Sequence, residues 1–214
     1  MERINNYFET NESLRLKLLE AINNIKYNTN KEPDYEPLFA IVPELREVLE
    51  FDYYHPAHPY NILEHSVRAA QMAENDVVKI SALFHDIGKL DPNCQELVYN
   101  YRGPDAPRVM KTDGHEISGM IMAEPILRDL IADPNELELV LNLIRYHDSW
   151  GWKLFERDFD DMVEKFSPET IGFLFELQEV DLANHSEETI RKYLDWMYMN
   201  QGVIAKEFFP EVED

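Results

Sequence analysis

The chain has 214 residues, with 42 Asp and Glu against 20 Lys and Arg, giving a formal net charge of −22. A field of that sign disfavours extended binding to DNA or RNA, but leaves room for a small phosphorylated ligand in a locally basic pocket. An apolar fraction of 44% suffices for the core of one domain, and the single cysteine, Cys94, excludes an internal disulfide and a cysteine-rich zinc site.

The opening segment, MERINNYFETNESLRLKLLE, has no apolar signal region, and no apolar run reaches the length of a membrane span. A soluble, cytoplasmic protein is expected. Leu14, Leu18, Ile22 and Ile25 recur at helical spacing and predict a first amphipathic helix over 12–27. The polar stretch NTNKEPDYEP breaks it, and PLFAIVPELREVL carries a shorter second helix. Asn61 then opens a helix through Glu74, and Asp76 caps another that runs into ALFHDIGKL at residues 82–90. Residues 91–112 contain Pro92, Gly103, Pro104 and Pro107, which deny helix and predict a long binding loop or lid.

Helix resumes near Asp113 or Gly114, runs to about Leu130, and is expected to kink or divide at Pro125. Asp133-Pro134 and Ser167-Pro168 each read as an N-cap followed by proline, starting helices that reach His147 and His185. Ser186 with Glu187 and Glu188 opens a last long helix, followed by an acidic tail expected to fray. No alternating strand run or internal repeat stands out, so the predicted class is all-α. The expected organisation is an N-terminal helical extension over 1–42, a helical-bundle domain over 43–185, and a C-terminal helix and tail over 186–214.

Five helices present an ionisable group at or near an apolar face. His65 sits among Ile62, Val67, Ala69, Ala70 and Ala73; His85 and Asp86 follow SALF; His115 follows a glycine; His147 ends LELVLNLIRYH; Asp181 interrupts FLFELQEVDLANH. Burying these groups without partners is costly, and one shared divalent cation satisfies them all. A donor set of nitrogen and oxygen alone suits Mn²⁺, Fe²⁺, Co²⁺, Ni²⁺, Zn²⁺ or Mg²⁺.

The order His65, then His85-Asp86, then Asp181 resembles the metal signature of the HD-domain superfamily of metal-dependent phosphohydrolases, and HDIGK is a frequent form of its central motif. HPYNILEH, with PEL before it and GHE and YHD after it, is similar to the HD domain of bacterial CCA-adding tRNA nucleotidyltransferases and poly(A)-polymerase-like proteins. The resemblance implies a helical-bundle fold with His65, His85, Asp86 and Asp181 as ligands of a first metal. In members with two metals, His115 and His147 correspond to ligands of the second, with Asp86 bridging; otherwise they surround a single ion. Lys89 matches a lysine that contacts substrate phosphate, or is a solvent-facing cation near a helix end. His58 matches a histidine of the HPY motif and either contacts substrate or caps a turn.

The implied chemistry is hydrolysis of a phosphate ester by a metal-activated water, centred on Asp86 and Lys89. The expected substrate is a small nucleotide or a terminal or 2′,3′-cyclic phosphate. Arg102, Arg108 and Lys111, opposed only by Asp105 in that loop, form a candidate phosphate-binding patch or an ordinary solvated loop. Nothing resembles a nucleotidyltransferase head, and SWGW after YHD lacks the GYP element of cyclic-di-GMP phosphodiesterases. Two alternatives use the same residues: an HD-fold di-iron oxygenase, and a non-catalytic regulatory module stabilised by metal.

Overall fold

The computed structural model describes residues 11–27, 31–100, 103, 105–149 and 165–195. The expected all-α class holds. Helices α1 (Asn11–Asn24), α2 (Glu36–Phe39), α3 (Leu45–Glu50), α4 (Ile62–Met72), α5 (Asp76–Phe84), α6 (His115–Leu127), α7 (Pro134–Tyr146) and α8 (Pro168–Leu182) pack around one core, and residues 187–195 are again helical. Arg102 and the acidic tail lie outside the described residues.

Helix α5 is the axis of the bundle, in contact with α4, α7 and α8. Its residues from Val78 to Phe84 are all buried, which accounts for an apolar run without a polar face. Ser66, Ala69 and Ala70 on the buried face of α4 keep side chains short there, so α4 lies close against α5. The intervening turn is held from across the bundle: Glu176 of α8 accepts hydrogen bonds from the backbone N–H groups of Glu74 (2.7 Å) and Asn75 (2.9 Å). Ile80, Leu83, Phe84, Leu143 and Ile144 fill the turns of α5 and α7 that end at His85 and His147. Each such burial contributes about 1.5–3 kcal/mol, the reserve that allows a polar cluster in the same interior.

The helix starts follow their caps. Asn61 accepts from Glu64 N–H (2.8 Å), Asp133 from Asn135 N–H (2.9 Å) and Ser167 from Thr170 N–H (3.2 Å), the last two ahead of a proline in the first turn. The cap of α5 is Asn75 rather than Asp76; its side chain takes the Val77 N–H at 2.8 Å. The segment expected as one short helix is divided into α2 and α3, because Pro43 has no N–H to continue the ladder. Helix α6 runs through Pro125 undivided, since the proline lies in its last turn. The N-terminal helix belongs to the same core: Leu18, Leu19, Ala21 and Ile22 are buried in it, and Gln71 of α4 donates to the Ile22 (2.7 Å) and Ile25 (2.9 Å) carbonyls at its end.

The region expected as a loop is more ordered than its composition indicates. Two short 3-10 turns, Ile87–Leu90 and Pro92–Cys94, lead into an antiparallel hairpin of β1 (Gln95–Val98) and β2 (Val109–Thr112). Gln95 pairs with Thr112 and Val98 with Val109, and Met110 N–H bonds Tyr54 O (3.1 Å). Strands of four residues are too short to display an alternating pattern, which is why the sequence does not announce them. Gly114 follows the hairpin with φ of 84°, a left-handed turn that starts α6 at His115. The first 3-10 turn then docks on α6 backbone to backbone: a Cβ on Gly88 would lie 2.0 Å from His115 O and 2.3 Å from Gly119 N. That contact sets Asp86 opposite His115.

Candidate metal centre

His65 ends the first turn of α4, His85 and Asp86 follow the last turn of α5, His115 is the first residue of α6, His147 follows α7, and Asp181 lies in the last turn of α8. All six are buried, His85 to 1% and Asp86 to 2% exposure. The structure therefore brings together every residue that the sequence singled out as a possible ligand.

Asp86 is the hub, and its two oxygens face different neighbours. Oδ2 lies 3.5 Å from His85 Nε2 and 3.8 Å from His65 Nε2; Asp181 Oδ1 completes this side at 2.7 Å from His65 Nε2 and 3.4 Å from His85 Nε2. Oδ1 lies 3.3 Å from His115 Nε2 and 3.7 Å from His147 Nε2, which are 3.2 Å from each other.

The other ring nitrogens explain what these contacts mean. His85 Nδ1 is 2.7 Å from Ala82 O, His115 Nδ1 2.7 Å from Thr112 O, and His147 Nδ1 2.7 Å from Ile144 O; His65 Nδ1 faces Asn184 O at 3.4 Å. A carbonyl only accepts, so each Nδ1 carries the proton and donates it, leaving Nε2 as a bare lone pair in the neutral ring. Lone pairs thus meet lone pairs and carboxylate oxygens at the centre, and buried His85 Nε2 has no hydrogen-bond partner at all. Acceptors that converge on acceptors need a cation between them. Two ligands about 2.0–2.2 Å from one ion stand roughly 3 to 3.5 Å apart, the range seen here. The residues fit one or more divalent ions.

Electrostatics agree with the geometry. Burial works to raise the pKa of Asp86 and Asp181, but cationic neighbours and hydrogen bonds outweigh it, and both are held well below the usual carboxylate range. His85 is opposed by burial, yet the charges of Asp86 and Asp181 push it up to about 9. His147 goes the other way: burial, with His85 and His115 beside it, pushes it down to about 3. Without an ion, one proton on His85 stands in for the missing positive charge.

Lys89 is not a solvent-facing cation. It is 4% exposed, with Nζ 2.6 Å from Asp86 Oδ2 and 3.4 Å from His58 Nε2. Burial opposes its charge, but Asp86 outweighs burial and keeps it firmly protonated. Burial, then Lys89, pushes His58 well below the usual imidazole value, so its Nε2 accepts from the ammonium.

A cavity of about 310 Å³ opens onto the centre. Asp86, Lys89, His115, His147 and Asp181 form its floor, His58 is also in its wall, and Lys111 is an exposed lining residue. Arg108 does not line it; its guanidinium lies 5.4 Å from the Tyr99 ring centroid. Tyr53, His55, Asp113, Asp148 and His185 line the cavity without having been assigned to it from sequence. Asp148 directly follows His147 in YHD, a signal that was present, and its donor atoms group with those of His115 and Glu116 within 4.8 Å. His185 groups likewise with His65 and Asp181.

No helix among the described residues is long and apolar enough to cross a membrane. No curated protein matches the chain. The family model of the HD domain matches residues 56–197, which include all six buried donors and Lys89. The chain belongs to the HD-domain family, a superfamily of metal-dependent phosphohydrolases.

Proposed function

We propose that the protein is a metal-dependent phosphohydrolase acting on a phosphomonoester or phosphodiester of a small nucleotide, including a terminal or 2′,3′-cyclic phosphate. The observation that carries this reading is the convergence of four Nε2 lone pairs on Asp86 and Asp181 beside a buried ammonium. In this reading His65, His85, Asp86 and Asp181 would hold one divalent ion, and His115 and His147 with Asp86 would hold a second. Such ions lower the pKa of water and neutralise charge that develops on phosphoryl oxygens.

The chain's own residues do the rest. Lys89 has three N–H donors; Asp86 and His58 take two, and the third is left for a phosphoryl oxygen in the cavity. His58 then acts by orienting Lys89. Lys111 draws an anion toward the mouth. Around the cavity Asp86, Asp113, Asp148 and Asp181 outnumber Lys89 and Lys111, so an anionic substrate binds only after cations have reversed the local field. The cavity volume is at the lower limit of small-molecule sites and fits one mononucleotide-sized ligand rather than a polymer. The HPYNILEH motif, likened to CCA-adding and poly(A)-polymerase-like HD domains, favours a nucleotide or RNA end.

The test is turnover of a panel of nucleoside monophosphates and 2′,3′-cyclic nucleotides with Mn²⁺, Co²⁺, Ni²⁺ or Mg²⁺. Metal-dependent phosphate release or ring opening is expected, and its loss in Asp86→Asn. Two tightly held irons that consume oxygen, with no phosphoester turnover under any metal, would overturn the reading in favour of an oxygenase.

A further inference from the structure

His55 is outside the six-donor set, in the turn that precedes α4. That turn is fixed at three points: His58 N–H bonds His55 O (3.0 Å), Ser186 N–H bonds Ala57 O (2.7 Å), and Ala57 N–H bonds the His55 ring at Nδ1 (3.2 Å). The last bond decides the chemistry of the side chain. A backbone N–H can only donate, so Nδ1 is an acceptor and the ring proton sits on Nε2. This is the opposite tautomer to that of the four central imidazoles. Among the described residues no group accepts the Nε2–H, and the ring lines the cavity.

Its surroundings say what that proton is for. The His55 ring lies 5.7 Å from that of His58, whose Nε2 is bound to Lys89, and it stacks at 15° on Tyr53, over which the Lys89 ammonium also lies. A fixed N–H donor lining the same cavity as a buried ammonium is a pair suited to an anion with several acceptor oxygens. We infer that His55 is a substrate-binding residue, donating its Nε2–H to a phosphoryl oxygen held at the same time by Lys89. The inference rests on the phosphate-ester reading above and adds to it a residue that selects for the phosphoryl group.

Two conservative substitutions separate this role from a purely structural one. His55→Asn keeps an acceptor where Nδ1 lies, so it preserves the turn while removing the distal donor. His55→Gln keeps an N–H where Nε2 lies, at the expense of the turn. With Mn²⁺-loaded full-length protein, inorganic phosphate binding measured by calorimetry should weaken about tenfold in His55→Asn and stay near wild type in His55→Gln. With a phosphoester that the wild type hydrolyses, KM should rise in His55→Asn with kcat and metal content unchanged. Nitrogen-15 spectra of the wild type should show the Nε2–H tautomer of His55, shifted when phosphate is added; this needs no variant to fold.

Undiminished phosphate binding in His55→Asn, an Nδ1–H tautomer, or a metal-loaded wild type that binds no phosphate would each overturn the inference. Phosphate binding that depends on His55 in a protein without phosphoesterase activity would instead remove the hydrolase reading and leave the anion site standing.

Discussion

On the Oδ2 side of Asp86, two imidazoles meet a second carboxylate, Asp181, on three helices of the core. On the Oδ1 side, two imidazoles 3.2 Å apart share one carboxylate oxygen, at the starts of α6 and a 3-10 turn. The donors are alike in kind, but the first side brings a second carboxylate, Asp181, to the Nε2 atoms and sits on elements that the core holds from several directions. The second depends on how the Gly88 turn docks on α6. In the two-ion reading proposed above, the ions are therefore expected to differ in affinity, the first tight and the second weaker and more easily exchanged.

The severest break in that comparison is Asp86→Asn, which removes the hub common to both sides. Hydrolysis should fall at least about 10³-fold, and equilibrium dialysis should show both ions weakened; an unchanged second ion would mean that Asp86 does not bridge. Asp181→Asn and His147→Ala separate the two sides. The former should release the tight ion, while the latter should leave one tightly held ion and lower metal affinity on the other side by about 10- to 100-fold, checked by metal titration of each variant.

Lys89→Ala touches substrate rather than ions. It removes the ammonium that competes for Asp86 Oδ2, so cation affinity should hold or improve while KM for a phosphoester rises about 10-fold or more. A fall in cation affinity would contradict this assignment. The pH dependence of the first ion has a definite sign. In the ion-free protein His85 keeps its proton up to about pH 9, and the ion needs the neutral ring. Affinity should therefore fall about tenfold per unit as pH drops below 9 and level off above it, with proton release detectable by calorimetry in buffers of different ionisation enthalpy. The smallest effect belongs to the scaffold: Asn61→Ala removes the α4 cap and should cost about 1 kcal/mol of stability in a denaturant melt, with metal stoichiometry unchanged.

Much of this arrangement was legible in the sequence because helix signals are local. Caps such as Asn61, Asp133-Pro134 and Ser167-Pro168 fixed helix starts, and the ordered set His65, His85-Asp86 and Asp181 pointed to a shared centre. What stayed hidden depends on distant backbone. The burial of Lys89 follows from the hub it pairs with, and a lysine near a helix end looks the same on paper whether solvated or enclosed. The tautomer of each histidine follows from which carbonyl or N–H lies beside it, as for His85 at Ala82 O and His55 at Ala57 N. Nothing in the sequence accordingly marks His55 and His185 as cavity residues, and the strands between residues 95 and 112 read as loop.

The most direct test of the central claim is a cation titration of the chelated full-length protein, followed at each step by phosphoester turnover. Two binding events of unequal affinity are expected, both abolished or weakened by Asp86→Asn, with hydrolysis appearing as the weaker one fills. A single event unaffected by His115→Ala and His147→Ala, or full occupancy without phosphoester hydrolysis, would contradict the claim.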